Sequence, residues 1–266
     1  MAVLNLTPDS FHVESRVQDE VAVLSRAESA LAEGADLLDL GAESTRPGAA
    51  TVKAEEETRR LLPLLAAVRR RFPDTVLSVD TRHAEVARRA LDTGADIIND
   101  VTGLGDPAMP ALLAASRCGC VLMHLRGSFA TMHQLPPLDD PLQTVLVGLG
   151  SVVAQAQASG IAAAHVVLDP GFGFGKNLDE NYPLLAHFDR LHVLGFPLLV
   201  GVSRKSFVGK TLGDVPPEAR LAGTLAATTA AVLAGAHVVR AHDVAATRDA
   251  LRIADAIRAS AVERGA

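Results

Sequence analysis

The stretch Gly34-Ala-Asp-Leu-Leu-Asp-Leu40 decides the fold. It ends a helical pattern at a glycine and enters a short apolar run within two residues, as a left-handed helix cap does when it leads into a buried parallel strand. The same joint recurs at Gly94-Ala-Asp-Ile-Ile-Asn99 and at Gly235-Ala-His-Val-Val-Arg240. This weak internal repeat predicts a chain of alternating helices and parallel strands.

Eight short β-type runs are spread along the whole chain. They cover residues 3–6, 37–40, 76–79, 97–99, 121–124, 166–168, 198–202 and 238–240. Between them lie helical patterns with apolar residues three and four positions apart, for example at 17–33, 54–70, 84–92 and 217–233. Eight such units in 266 residues, with no linker, favour an α/β fold with a single (β/α)8 TIM barrel over an open doubly wound sheet. We therefore expect residues 1–266 to form one domain.

The composition limits the partners of the chain. It has 25 Lys and Arg against 31 Asp and Glu, a net charge of −6, eight Phe, one Tyr and no Trp. Such a chain lacks the basic patches and stacking platforms of a nucleic-acid surface. Any anion site is therefore local, and we expect small-molecule partners.

The sequence predicts a cytosolic location. The N-terminus has no basic region followed by a long apolar one, so no secretory signal is expected. Cys118 and Cys120 are too close in sequence to bridge well, which indicates reduced thiols. Residues 221–239 carry no formal charge, but their threonines and the break at Gly235 favour a buried helix leading into a buried strand over a membrane span.

Polar residues stand in or just after each apolar run. They are Asn5, Asp39, Asp80, Asn99, His124, Asp169, Lys205, Arg240 and His242. Any one of them could cap a helix instead of doing chemistry. In a barrel, however, the carboxyl ends of the strands converge on the catalytic face, and such a series favours an active site there.

The cationic members of this series predict an anionic substrate. The phosphate site of many barrels follows strands seven and eight, where this chain has Ser203-Arg-Lys-Ser206 and Arg240-Ala-His242. Thr45-Arg46, after the second strand, adds a hydroxyl and a guanidinium. The alternative is that each cation pairs with a neighbouring carboxylate. Any metal is expected to be Mg²⁺ that arrives with substrate phosphates, because such an ion needs few protein ligands.

Asp80, Asn99 and Asp169 suit the edge of a flat nitrogen heterocycle, because carboxylates accept from N–H donors and an amide both donates and accepts. Paired acid and base catalysis is the competing interpretation.

Two other motifs give weaker evidence for a functional site. Gly171-Phe-Gly-Phe-Gly-Lys176 looks like a phosphate loop but lacks the Walker spacing, so we expect a flexible loop. His124 and His133 lack the spacing of a zinc helix.

One motif per strand, in order, resembles the dihydropteroate synthases over nearly the whole chain. The motifs are Asn5-Leu-Thr-Pro-Asp-Ser-Phe11, Gly41-Ala-Glu-Ser-Thr-Arg-Pro-Gly48, Ser78-Val-Asp-Thr81, Ile98-Asn-Asp-Val101, Leu122-Met-His124, Leu168-Asp-Pro-Gly-Phe-Gly173, Ser203-Arg-Lys-Ser206 and Arg240-Ala-His-Asp243. The resemblance implies condensation of 6-hydroxymethyl-7,8-dihydropterin diphosphate with 4-aminobenzoate, which gives 7,8-dihydropteroate and diphosphate.

The resemblance also implies a role for each matching residue. The pterin ring would be held by Asp80, Asn99, Asp169 and Lys205 and lined by Met123, Phe174 and Gly201. The diphosphate would be held by Arg240, His242, Thr45 and, through Mg²⁺, Asn5. The 4-aminobenzoate site would use Phe11, Arg46, Pro47 and Ser206. The catalytic groups implied are Asp80, Lys205, Arg240 and His242.

The chain departs from the family in its first loop, which reads His12-Val-Glu-Ser15 where the family has a Ser-Asp-Gly-Gly-like stretch. An alternative function follows, a pterin-binding barrel that binds without condensing. A methyltransferase-type pterin domain is disfavoured by the motifs at 43–48 and 203–206. The chain also begins at its first predicted strand, so we expect the bottom of the barrel to be less well plugged. The family and the Ala-rich segment 221–233 suggest a homodimer.

Overall fold

A computed structural model describes residues 1–6, 16–43, 51–132 and 134–262. In this part of the chain each strand is followed by a helix, with one further helix before the last strand. The strands are β1 (Ala2–Asn5), β2 (Leu37–Gly41), β3 (Val76–Asp80), β4 (Ile97–Asp100), β5 (Gly119–Met123), β6 (Val166–Asp169), β7 (Leu199–Val200) and β8 (Val238–Val239). The helices are α1 (Arg16–Ala32), α2 (Ala54–Arg71), α3 (Ala84–Asp92), α4 (Met109–Ser116), α5 (Pro141–Ala158), α6 (Leu178–Ala186), α7 (Ser206–Thr211), α8 (Leu221–Leu233) and α9 (Val244–Val262).

The chain divides into two compact units. The first comprises Met1–Met123 and Ser151–Val167, and the second comprises His124–Gly150 and Leu168–Ala266. In the first unit the strands are parallel and follow chain order from β1 to β5. In the second unit β7 pairs in parallel with β8, and Leu168 of β6 forms a bridge with Leu198. The expectation of one domain over residues 1–266 stays a prediction.

The predicted joints between helix and strand are present. Gly34, Gly94 and Gly235 have φ of 99°, 105° and 99°. Each joint closes with two backbone hydrogen bonds, such as Gly34 N to Leu31 O at 3.0 Å and Ala35 N to Ala30 O at 2.9 Å, which is the Schellman pattern. The prediction is therefore confirmed in detail, and only glycine adopts these φ values without strain.

Burial on both faces explains why the strands are almost continuously apolar. Leu38, Leu40, Leu77, Val79 and Ile98 are all fully buried. The residues between them, which point to the opposite face, include Asp39 of β2 and Ser78 of β3, and both are fully buried as well. This is the burial expected of a parallel sheet covered on both sides.

Two predicted elements differ in detail. The helix expected over 217–233 begins as a 3₁₀ turn at Pro217–Arg220, and α8 starts only at Leu221. The two residues of β8 are half-buried, whereas a buried strand was expected. None of the helices in the described ranges is both long and apolar enough to cross a membrane.

Candidate active site

The first unit places the expected polar residues in one row. In the parallel register, Asn5 pairs with Gly41, Gly41 with Asp80, and Asp80 with Asn99. These positions therefore lie at the same level at the carboxyl ends of four neighbouring strands. Gly41 leaves the room that Asp80 needs, because a Cβ on Gly41 would lie 3.2 Å from the Cβ of Asp80.

Asn99 is oriented by a buried carboxylate. Its Nδ2 donates to Oδ2 of Asp39 at 3.3 Å, and both side chains are buried. An amide whose nitrogen is engaged in this way offers its oxygen as an acceptor. The sequence places Asp39 in the series of polar strand residues without a specific role, and the structure shows that it orients Asn99.

The other expected residues of the first unit are Asn5 and Met123. Asn5 is half-buried at the end of β1, where its backbone carbonyl accepts from Nη1 of Arg26 at 3.3 Å. Met123 is buried at the end of β5, and its carbonyl oxygen lies so close to Gly103 that a Cβ there would come within 2.5 Å. The loop after β4 therefore packs directly against the end of β5.

Asp169 is the central acid of the second unit. It is buried at the end of β6 and accepts the N–H of Gly171 at Oδ1, at 2.7 Å. The pKa of Asp169 is raised above its ordinary value, because the effect of burial is larger than the opposing effects of its neighbours. Those neighbours are the Lys205 ammonium, the Gly171 N–H, Lys176 and Arg240. The carboxyl group thus lies in a buried but cation-rich environment.

Lys205 and Phe174 lie next to each other in the same unit. The Lys205 Nζ lies 4.3 Å from the centroid of the Phe174 ring and donates to the carbonyl of Phe172. Phe172 is fully buried, and its ring stacks on that of Phe207 with a centroid separation of 6.3 Å. This packing fixes the carbonyl that receives the ammonium, so Lys205 is held over an aromatic face.

The segments that follow β7 and β8 hold the remaining expected residues, Gly201, Ser206, Arg240 and His242. Nδ1 of His242 lies 3.0 Å from Oγ of Ser203, which also accepts the His242 N–H at 3.2 Å. Arg240 donates its N–H to Val200 O at 2.9 Å, and a Cβ on Gly201 would lie 3.9 Å from the Cβ of Arg240. Ser206 is exposed as the first residue of α7.

Pairing with a carboxylate, the alternative for the cationic motifs, applies to Arg204. Its guanidinium contacts both oxygens of Asp243, with Nε at 2.9 Å and Nη2 at 2.5 Å. The hydrogen bonds raise the pKa of Arg204 and lower that of Asp243. Arg204 thus braces the segments after β7 and β8, and the sequence could not separate this role from anion binding.

Several predicted site residues lie outside the described residues. They are Phe11, Thr45, Arg46 and Pro47, together with the altered stretch His12–Ser15 and the second histidine of the rejected zinc pair, His133.

Lys176 was missed by the sequence reasoning. It is buried in the loop after β6, and burial lowers its pKa to about 7, as do Lys205 and Arg126, while Asp169 and Glu180 raise it. The signal in the sequence is its place at the end of the glycine-rich run Gly171–Lys176.

Comparison with known proteins identifies the family. A family model described as pterin binding enzyme matches residues 1–242. The dihydropteroate synthase of Escherichia coli (strain K12) is 43% identical over 258 residues, which cover 96% of this chain and 90% of that protein. The chain belongs to the dihydropteroate synthases.

Solved structures of the family agree. A Yersinia pestis dihydropteroate synthase in complex with a sulfonamide drug has a TM-score of 0.91 and 42% identity, covering 97% of this chain and 94% of that one. The Xanthomonas albilineans enzyme in complex with 7,8-dihydropteroate has a TM-score of 0.87 and 39% identity, covering 97% and 93%. This likeness confirms the (β/α)8 class predicted from the sequence, and the chain is an enzyme of this family.

Proposed function

We propose that the chain carries out the reaction of its family, the condensation of 6-hydroxymethyl-7,8-dihydropterin diphosphate with 4-aminobenzoate to 7,8-dihydropteroate and diphosphate. The observation that carries the proposal is the family match over residues 1–242, within which the described strands end in groups suited to this chemistry. The relatives' activity is thereby extended to this chain.

Pterin recognition is assigned to Asp80, Asn99, Asp169 and Lys205. In the first unit, Asp80 and Asn99 lie in register on adjacent strands and would meet the amino and carbonyl groups of the ring. In the second unit, Asp169 and Lys205 would also meet polar groups of the ring, the first with a carboxyl group and the second with an ammonium. Met123, Phe174 and Gly201 are assigned to the lining of the ring site.

Diphosphate binding is assigned to Arg240, His242 and Thr45, with Asn5 acting through Mg²⁺. Asn5 fits such an ion, since its half-buried side chain offers an amide oxygen and Mg²⁺ takes oxygen ligands, needing few from protein when phosphates supply others. When bound, Mg²⁺ would neutralise part of the diphosphate charge.

The 4-aminobenzoate site is assigned to Phe11, Arg46, Pro47 and Ser206. A guanidinium suits the carboxylate of this substrate, and an aromatic side chain suits its ring. Of the four, the structure describes only Ser206, which is exposed at the start of α7.

Charge stabilisation explains the proposed chemistry. The C–O bond between the pterin methylene and the diphosphate breaks, its electron pair leaves with the diphosphate, and the positive charge spreads into the ring. Arg240 and His242 stabilise the growing charge of the leaving group, and Asp80 stabilises the cation. Lys205 orients the ring. The amine of 4-aminobenzoate then forms the C–N bond and loses a proton.

A measurement of diphosphate release tests the proposal against the alternative of a barrel that binds pterin without condensing. Release from the pterin diphosphate is followed with and without 4-aminobenzoate. Release that requires both substrates, with 7,8-dihydropteroate as product, is expected. Tight binding of the pterin with no aminobenzoate-dependent turnover would overturn the proposal and favour the alternative.

We also propose that the chain forms a homodimer in the cytosol. Leu221 and Leu233 of α8, and Ile253 and Ile257 of α9, are exposed apolar residues on two helices that contact each other. Both cysteines are free thiols, as a reducing compartment favours. Light scattering checks the oligomeric state, and a monomeric mass would overturn the dimer.

A further inference from the structure

Lys176 ends the loop that joins β6 to α6, and its ammonium is buried. Its side chain is only 7% exposed. The Nζ donates to three carbonyl oxygens, those of Gly171 at 2.8 Å, Phe174 at 3.1 Å and His124 at 3.4 Å. Two of these oxygens belong to the loop and the third to the residue after β5. A buried ammonium is costly unless it is fully bonded, and here each of its three hydrogens has a carbonyl acceptor.

The carbonyl oxygens come together because of the loop's backbone. Gly171 and Gly175 have φ of 67° and 68°, and Phe174 N donates back to Gly171 O at 3.1 Å. The turn thereby directs the oxygens of Gly171 and Phe174 to the same side, where Lys176 binds both. The bond to His124 joins this turn to another segment of the second unit.

The same loop holds two of the groups assigned to the pterin. Gly171 accepts the Lys176 ammonium at its carbonyl oxygen and donates its own N–H to the Asp169 carboxylate, so one residue joins the two side chains. The Phe174 residue that gives its carbonyl to Lys176 has its ring 4.3 Å from the Lys205 ammonium. Displacing the turn would therefore move an acceptor and an aromatic face together.

We propose that Lys176 is a positioning residue for pterin binding: its ammonium gathers the carbonyls of Gly171, Phe174 and His124 and so fixes the loop that orients Asp169 and Phe174. This inference rests on the proposed function. Lys176 contacts loop carbonyls and acts on the ring through Asp169 and Phe174.

The charge on Lys176 makes its hold on the loop after β6 sensitive to pH. Its pKa is lowered to about 7 by burial, by Lys205 from the start of α7 and by Arg126 from the loop after β5, against Asp169 of β6 and Glu180 of α6. An ammonium donates three hydrogen bonds and a neutral amine only two. Pterin affinity is therefore expected to fall as the pH rises through about 7.

The first test compares Lys176→Met and Lys176→Gln with Lys210→Met, a control at an exposed lysine. The Kd of a fluorescent pterin and the KM of the pterin diphosphate are expected to rise roughly ten- to a hundredfold in both Lys176 variants, the range that a lost charged hydrogen bond covers. The control should match the wild type. A folded Lys176→Met protein with unchanged pterin Kd would overturn the inference.

The pH profile separates positioning from mere stability. The wild type and Lys210→Met should share a decline of pterin affinity with a midpoint near 7, and Lys176→Met should lack it. An identical profile in Lys176→Met would contradict the role. Wild-type turnover that requires both substrates, measured in parallel, tests the proposed function separately, so its failure is distinguishable from failure of this inference.

A second measurement does not depend on any variant folding. The chain has only four lysines, Lys53, Lys176, Lys205 and Lys210, so ¹³Cε-lysine labelling gives four signals. One signal is expected to titrate near pH 7 in the wild type. Lys53→Arg and Lys210→Arg assign two of the others. Four signals that all titrate near the ordinary lysine value of about 10.4 would overturn the expected decline of pterin affinity through pH 7.

Discussion

Arg82 binds the Glu43 carboxylate with two nitrogens, Nε at 2.8 Å from Oε2 and Nη2 at 3.1 Å from Oε1. The same carboxylate accepts the Val52 N–H at 2.8 Å. Glu43 and Val52 flank the sequence segment that includes Thr45, Arg46 and Pro47. The Glu43 carboxylate, which Arg82 binds, therefore links both flanks of the segment to which part of the substrate site is assigned.

We expect Arg82→Met to destabilise the protein by about 2–3 kcal/mol, less than for a fully buried pair because both side chains keep some contact with water. The cause is the Glu43 carboxylate, which stays mostly buried without its counter-ion. Urea unfolding measures the loss. Arg82→Met combined with Glu43→Gln should recover part of it. Arg88→Met, in an exposed pair, is the control. Equal losses in the single and double variants would contradict a coupled pair.

We expect Arg240→Ala to lower kcat about a hundred- to a thousandfold, because one preorganised cation facing the leaving diphosphate is lost. The Kd of a pterin without diphosphate should change little. Steady-state kinetics and pterin fluorescence check the two halves. Arg252→Ala, at an exposed position on α9, serves as control. An unchanged kcat would refute the diphosphate role.

The fold was largely readable from the sequence because its joints are local. Gly94 adopts φ of 105° between α3 and β4, a conformation that glycine favours. A glycine followed by a short apolar run therefore predicts both the end of the helix and the start of the strand. The boundaries of α3 are those expected from spacing alone. The length of a strand depends on its pairing with a neighbouring strand, which the sequence does not show. The apolar run 198–202 therefore predicts a longer strand than β7, which has only two residues.

The site was readable only in part, for a different reason. Strand-end residues such as Asp80 and Asn99 are visible because periodicity places them at one edge of the sheet. The bonds that orient such groups join residues far apart in sequence, as Asn99 joins Asp39 across 60 positions. Arg204 and Arg240 are equivalent cations in the sequence, and only the fold pairs Arg204 with Asp243.

His124 gives a prediction for stability in acid. Burial lowers its pKa to about 3 from 6.5, as do Lys176 and Arg126. Below pH 6.5 His124 is protonated in the unfolded chain but stays neutral in the folded state. The contribution of His124 to the free energy of unfolding is therefore complete above pH 6.5 and is lost as the pH falls. Between pH 7 and 5 the wild type should lose about 2 kcal/mol more than His124→Asn.

Urea unfolding at several pH values measures this difference. His187→Asn, at an exposed histidine, should follow the wild type. His124 is packed closely, since a Cβ on Gly148 would lie 2.3 Å from its Cδ2, which is why a smaller replacement is chosen. A constant difference between His124→Asn and the wild type across this range would show that the histidine is not held neutral.

Glu57 gives the opposite dependence. It is fully buried in α2, with its Oε2 3.9 Å from Nε2 of His83. Burial raises its pKa to about 8, with Glu43 and Asp80 raising it further and Thr81 and Arg82 lowering it. Between its unfolded pKa of 4.5 and about 8, the folded state keeps a proton that the unfolded chain releases. Stability is therefore full below pH 4.5 and is lost as the pH rises to about 8.

Glu57→Gln removes this ionisation while keeping the shape of the side chain. The variant should gain on the wild type by about 1.4 kcal/mol for each pH unit between 5 and 8, a difference on the order of 3–5 kcal/mol at pH 8. Glu55→Gln, at an exposed position two residues earlier on α2, controls for the change in net charge. Urea unfolding at pH 5, 6.5 and 8 measures the trend. A gain that does not grow with pH would mean that Glu57 is ionised in the folded protein, with Arg82 as its counter-ion.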